Sequence, residues 1–353
     1  MKTQRWLLKY PLITMVATYV VITLLAGPQL ADTLGGEVAR TALAAVVTIG
    51  ALLLLAPAGL RWMATAESLK DPWARRALLW VALCALAACC ANGLLWLLGN
   101  TDAWGLSASP AASAIADGIA ASAGPAAPTL FEGTGAGAAV ANPDTLSLPV
   151  RAALLLACCF ATAVFEEGFF RGIAVPCAAR RTQLELEALK SGDMGPVTQE
   201  TYRQMSEEEQ REITNVPYSA AVFSSILFGA AHLMGSNPFA GSGAAAIALL
   251  LTEAVGKAVQ AGMFGYVMAA LMLRTQSVFA PMVVHFLFDV LYFAPVVLAT
   301  GMLPATYATG SFANLAILAL TIAALVPAVR AASSWLKGAV STSDTPLEYT
   351  AFL

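Results

Sequence analysis

Only two histidines occur in 353 residues, and both lie in apolar runs. His232 ends Phe228-Gly229-Ala230-Ala231-His232, and His285 opens His285-Phe286-Leu287-Phe288-Asp289. A third apolar run holds Phe165-Glu166-Glu167-Gly168-Phe169-Phe170-Arg171, and a fourth carries Glu253 and Lys257. An ionisable group in a hydrophobic span is expensive and turns toward the bundle interior, so each is a functional candidate. Confining both histidines to such spans argues that they act together or pack on specific polar partners.

Helical spacing sorts these residues. Glu167 and Arg171 stand at i and i+4 with the acid first, the favourable order for an intrahelical ion pair, and are expected to be structural. Glu166 points about 100° away and is free to face a different partner. His285 and Asp289, also four apart, can face one cavity, with the carboxylate expected to set the histidine tautomer. Phe228 lies one turn before His232 and is expected to pack beside it. Glu253 and Lys257 are expected to neutralise each other within their helix. Gly256, Gly262 and Gly265 in the same segment allow close helix approach.

A carboxylate, two imidazoles and an Asp facing one cavity suit hydrolysis. Glu166 can act as general base on water, His232 can share that water, and a further polar group can stabilise the oxyanion. Glu166, His232, His285 and Asp289 could equally ligate a divalent metal such as zinc. The residues leave open a metal-dependent and a metal-free site.

The elements that must position them are membrane helices. The chain is 58% hydrophobic and 12% charged with a net charge of −3, which excludes a soluble globular or disordered protein and gives no basic surface for nucleic acid. Eight apolar runs approach the roughly 20 residues that cross a bilayer as a helix. They cover 12–27, 41–59, 77–98, 149–173, 217–235, 244–272, 278–298 and 312–330. The expectation is an all-α, polytopic transmembrane bundle of about eight spans with its catalytic core in spans four to seven.

With the N-terminus inside, 16 of the 19 Lys and Arg fall on cytoplasmic segments, so both termini are expected to be cytoplasmic. The basic start lacks a small-residue cleavage site and reads as a retained first helix. Residues 101–150 are rich in Ala, Gly, Ser and Pro and carry no Lys or Arg before Arg151, as expected of an exterior loop. The acidic stretch 182–212 reads as a solvated cytoplasmic insert. Cys84, Cys89, Cys90, Cys158, Cys159 and Cys177 fall in or beside spans, where they serve as small apolar side chains. This divides the chain into 1–147, with the first helices and exterior loop, a catalytic core 148–300 containing the insert, and 301–353 with the last span and a tail.

Depth restricts the geometry. From a start at Pro217, His232 lies about 22 Å along its helix, whereas His285 lies only about 10 Å from Val278. The motifs converge only if the helices are offset along the membrane normal.

The order Glu-Glu-x-x-x-Arg, Phe-x-x-x-His, then His-x-x-x-Asn or Asp, in successive hydrophobic regions, resembles the CAAX-protease and bacteriocin-processing family of intramembrane proteases, also called the Abi family. The resemblance runs from Glu166 to Asp289. It implies that Glu166 activates water with His232 as partner. It further implies that His285 and Asp289 contact the substrate carbonyl and oxyanion or a metal, and that Glu167 and Arg171 support the site. The family commonly carries Asn where this chain has Asp289, and an Asn amide donates a hydrogen bond that an ionised Asp cannot. The implied activity is endoproteolysis of a membrane-associated or precursor peptide, the partners being that peptide or membrane protein and the lipid bilayer. The Ala-rich composition and short core suggest a multi-pass protein of a bacterial cell membrane, whereas prenylated tails are what the eukaryotic relatives suggest. Oligomeric state is not legible. A proton-coupled transporter would use the same intramembrane acids and histidines without cleaving peptide, and a non-catalytic bacteriocin-immunity protein would not need Glu166.

Overall fold

The computed structural model describes residues 10–26, 34–55, 70–98, 146–181, 206–233, 244–303 and 309–342. Most of the expected exterior loop, and the insert up to residue 205, lie outside these residues. The described residues are all-helical, as the apolar runs require: in lipid every backbone polar group must be satisfied, and a helix does so within one segment.

Eight helices are present among them: α1 (Pro11–Ala26), α2 (Leu34–Leu55), α3 (Pro72–Leu97), α4 (Leu148–Phe169), α5 (Glu207–Ala231), α6 (Ala244–Thr275), α7 (Phe279–Thr300) and α8 (Phe312–Thr342). Helix α4 continues through a wider π-type stretch, Phe170–Ala174, to Arg181. Each expected run falls on one helix, but six helices rather than eight are long and apolar enough to span: α2, α3, α4 with its extension, and most of α6, α7 and α8. Helix α1 is short, at 16 residues. Helix α5 starts at Glu207, ten residues before the expected start, and its charged first turns dilute its apolar half. Pro217 lies inside α5 rather than opening it.

By length and composition these six helices are those of an integral membrane protein. Large apolar side chains, among them Leu53, Leu97, Phe160 and Ile226, cover the outer faces. Small residues line the helix contacts. A Cβ on Gly168 would sit 2.6 Å from Thr48 Cγ2, and one on Gly172 would strike Leu52 Cδ2, so α2 lies directly on the glycine face of α4. A Cβ on Gly229 would sit 2.5 Å from the Ala258 carbonyl oxygen, and one on Gly262 3.3 Å from that of Ser225. Helices α5 and α6 therefore cross backbone to backbone on a small-xxx-small pattern.

Polar groups at helix ends hold the register. Arg151, in the first turn of α4, donates from Nη1 to the Leu298 and Ala299 carbonyls at 3.1 and 2.7 Å. Those carbonyls belong to the last turn of α7, where they have no intrahelical partner. Helix α7 ends on Gly301 at φ 74°, a left-handed conformation that glycine adopts freely. From this clamp, Glu166 is 15 residues along α4 and His285 is 14 residues back along α7. Rises of about 22 and 21 Å bring them to one depth.

Candidate active site

Helix α4 presents Glu166, Glu167 and Arg171, and α7 presents His285 and Asp289. Glu167 and Arg171 are fully buried, with Arg171 Nε 3.0 Å from Glu167 Oε2. The expected intrahelical pair is therefore present, but Glu167 also reaches across to α7. Its Oε1 lies 2.7 Å from His285 Nδ1. The tautomer-setting contact thus comes from Glu167 rather than, as expected, from Asp289. Asp289 Oδ2 instead lies 3.4 Å from His285 Nε2, on the opposite side of the ring.

Glu166 turns away from Arg171 to a different partner, as its spacing allows. Its Oε2 is 3.7 Å from the same His285 Nε2. Two side chains 100° apart on one helix can share this partner because an imidazole offers a nitrogen at each end. His285 and Asp289 are buried, at 5% and 8% exposure, whereas the Glu166 side chain retains 20%. Glu166 is the most open carboxylate of the three. Its separation from Nε2 exceeds a direct hydrogen bond.

His232 sits in the turn just past the end of α5 rather than within the helix. Its Nδ1 is 2.8 Å from the Phe228 carbonyl. A carbonyl oxygen only accepts, so Nδ1 carries the proton and the neutral ring keeps a lone pair on Nε2. Phe228 joins this histidine to the cluster. Its ring centroid is 4.7 Å from that of His232, 6.2 Å from that of His285 and 4.3 Å from the Arg171 guanidinium carbon. The packing role expected of Phe228 extends to both histidines and the arginine. The offset that depth arithmetic demanded is met because α5 begins outside the apolar zone and ends at the site.

Local sequence explains these placements. The π-type stretch after Glu167 pairs the Phe170 carbonyl with Val175 N–H, and Ser224 Oγ on α5 donates to the same carbonyl at 2.8 Å. That bond ties α5 to the turn carrying Arg171. On α6, Gly265 leaves room for Arg171 and Phe228: a Cβ there would stand 3.0 Å from Arg171 Nη2 and 3.0 Å from Phe228 Cδ1. Phe264 packs against His285 at 5.0 Å between centroids and Phe288 at 4.7 Å. Sequence reasoning missed Phe264, because an aromatic residue in an apolar helix carries no signal of its own. Only its position beside Gly262 and Gly265 marked this part of α6.

The expected Glu253–Lys257 pair is replaced by separate partners. Glu253 accepts from Thr309 Oγ1, Gly310 N and Ser311 N at 2.9–3.0 Å, closing the turn before α8. Lys257 donates to Gln260 Oε1 at 3.0 Å. Three backbone and hydroxyl donors satisfy the Glu253 carboxylate more completely than one flexible ammonium can. The cysteines pack as expected: Cys84, Cys158, Cys159 and Cys177 are buried, and all six are free thiols.

Among the described residues, no three His, Cys, Asp or Glu side chains are grouped to hold a metal ion. Glu166 and Asp289 approach one His285 nitrogen, at 3.7 and 3.4 Å, while His232 lies across Phe228. What they form is a buried imidazole with a carboxylate on Nδ1 and two more flanking Nε2, plus a second imidazole across Phe228. This arrangement can deprotonate a water and donate a hydrogen bond to a nascent oxyanion.

Residues 148–291 match the family model described as Type II CAAX prenyl endopeptidase Rce1-like. The match agrees with the family that the three motifs resemble, and it spans α4 through the His285–Asp289 turn of α7. The matched model is, by its description, that of an endopeptidase family. No curated protein and no solved structure matches the chain.

Proposed function

We propose that the chain is an intramembrane endopeptidase that hydrolyses a peptide bond of a membrane-associated or precursor peptide, in the manner of CAAX-type processing. The observation that carries this reading is the His285 ring. Glu167 holds it from behind at Nδ1, and its Nε2 stands between Glu166 and Asp289. Glu166, the most open of the three carboxylates, takes a proton from a water bound at its exposed side. The lone pair on His232 Nε2 accepts a second hydrogen bond from that water and aims it.

The water oxygen attacks the scissile carbonyl carbon, and the carbonyl oxygen becomes an oxyanion. His285, its Nδ1–H directed at Glu167, donates from Nε2 to that oxyanion, and Asp289 stands as the anion beside the imidazolium. Glu166 then returns its proton to the amide nitrogen as the C–N bond breaks, leaving a carboxylic acid and an amine. Burial makes each fixed dipole more effective than in water. Glu167 and Arg171 act through His285 and touch no reacting atom.

The test compares membrane-protein N- and C-termini in cells carrying the native protein, Glu166→Ala, or no copy. The expected outcome is a set of new termini present only with the native protein, which would also name the substrates. Identical termini in all three, with the variant folded and abundant, would replace this reading by proton-coupled transport or a non-catalytic role.

A further inference from the structure

The end of the bundle where α3 begins carries cations that the site around His285 does not use. The chain enters α3 as Lys70-Asp71-Pro72-Trp73-Ala74-Arg75-Arg76, and the one acid in this run is already engaged. Asp71 caps the helix by accepting from Trp73 N–H at 2.7 Å and lies 3.8 Å from Arg274 Nη2 at the end of α6. Lys70, Arg75 and Arg76 are exposed and form no ion pair among the described residues. Three cations therefore stand together with no carboxylate to offset them.

Helical spacing turns the two arginines toward lipid. Arg75, Arg76, Leu79, Leu83 and Leu86 recur at steps of three, four and seven and are all exposed, whereas Ala74, Ala77 and Val81 are buried on the opposite face. A basic head and an apolar stripe thus form one continuous surface. Trp73 and Trp80, 40% and 38% exposed, flank it about 10 Å apart along the axis, where amphipathic rings mark the headgroup level. The Arg76 guanidinium carbon stands 4.9 Å from the Trp73 ring centroid. Contact with an aromatic face uses none of the guanidinium N–H donors, so the fork stays open to the oxygens of a phosphate.

The occupant of such a surface must be both anionic and apolar. A free inorganic anion would meet the arginines and leave the leucine stripe unused. A phospholipid sets its phosphate on Arg75 and Arg76 and lays its acyl chains along Leu79, Leu83 and Leu86. A zwitterionic headgroup brings its own ammonium into a cluster that already holds Lys70, and an anionic headgroup does not. In the orientation expected from charge asymmetry, this surface lies in the cytoplasmic leaflet, where anionic lipids attract basic segments.

We propose that the first turns of α3 form a binding site for an anionic phospholipid, with Arg75 and Arg76 on its phosphate and Trp73 holding Arg76 in place. The site is joined to the bundle interior. Ala74 packs with Leu271 of α6 and Trp335 of α8, and Ala280 and Val284 of α7 lie against that group. Val284 immediately precedes His285, so a lipid bound at α3 steadies the junction of four helices from which His285 is presented.

The test titrates the full-length protein in detergent with phosphatidylglycerol or phosphatidylcholine of the same acyl chains. Bound lipid is counted by native mass spectrometry, and unfolding is followed by tryptophan fluorescence. Phosphatidylglycerol should bind more tightly than phosphatidylcholine and raise Tm further. Arg76→Gln should weaken phosphatidylglycerol about fivefold, and Arg75→Gln with Arg76→Gln about twenty-five-fold, the scale of one basic side chain at an anionic surface taken once and twice. Both variants should keep the native Tm in phosphatidylcholine, since the side chains they change are exposed. Trp73→Leu keeps every charge and should still weaken the anionic lipid. Arg330→Gln removes an exposed arginine of α8 and should leave the affinity as it is. Equal binding of the two lipids overturns the proposal. An Arg330→Gln loss equal to that of Arg76→Gln also overturns it, by showing diffuse attraction rather than a site. Inorganic phosphate that raises Tm as far as phosphatidylglycerol does would make the occupant a free anion and overturn it as well.

Discussion

At the scale of residues, the site is organised around one imidazole whose two nitrogens meet different carboxylates. Glu167 and Glu166 are neighbours in sequence, yet the first is fully buried behind His285 and the second lies at the more open front. Their substitutions should therefore differ in kind. Glu167→Ala leaves Arg171 as an unpaired buried cation, and breaking such a pair costs about 3–5 kcal/mol, so the variant should lose both thermal stability and cleavage. Glu166→Gln should keep its Tm and lose cleavage by about 10²–10⁴-fold, the contribution of a general base. Equal Tm losses in the two variants would contradict this division. No three His, Cys, Asp or Glu side chains are grouped to hold a metal ion among the described residues, which makes a second prediction: cleavage by purified protein should survive EDTA, and a loss that added zinc restores would assign a metal after all. The acid–base pair at Glu167 and Arg171 was legible from the i, i+4 rule. The Glu167–His285 bond, across 118 positions of chain, was not, since no local rule says which of two adjacent acids faces another helix.

At the scale of elements, close backbone approach places the histidines. Helix α5 delivers Phe228 and His232 only because Gly229 lets it lie on the Ala258 carbonyl of α6. Gly229→Val would push α5 outward and carry His232 away from the Phe228–His285 line. That variant should lower Tm by several degrees and abolish cleavage while Glu166 is untouched, measurable by tryptophan fluorescence and a peptide-cleavage assay. Unchanged activity would mean that His232 contributes nothing. The clamp of Arg151 on the last carbonyls of α7 sets the register that brings Glu166 and His285 to one depth. In sequence Arg151 marked only the end of the stretch without Lys or Arg. Its role as a helix-end donor could not be read, because carbonyls without partners belong to whichever helix ends nearby.

At the scale of the whole molecule, α4 is packed between α2 and α7, and α6 between α5 and α8, so motifs far apart in sequence meet where these helices cross. The charge distribution predicts that both chain ends face the cytoplasm. Reporter tags fused to the two termini should both be protected from a membrane-impermeant reagent in intact cells, and a difference between them would reject an even number of spans. Composition and apolar run length determined the all-helical membrane class by themselves, because a bilayer admits few ways of satisfying a backbone. The short motifs likewise singled out Glu166, Glu167, Arg171, Phe228, His232, His285 and Asp289, because ionisable residues are conspicuous among Leu, Ala and Phe. Only the tertiary structure decided their partners. Glu167 rather than Asp289 took Nδ1 of His285, Glu253 left Lys257 for the turn before α8, and α5 began in a charged segment that hydropathy had set apart. Each outcome depends on how helices are offset and rotated against one another, and that is set by small-residue contacts and helix-end clamps between segments far apart in the chain.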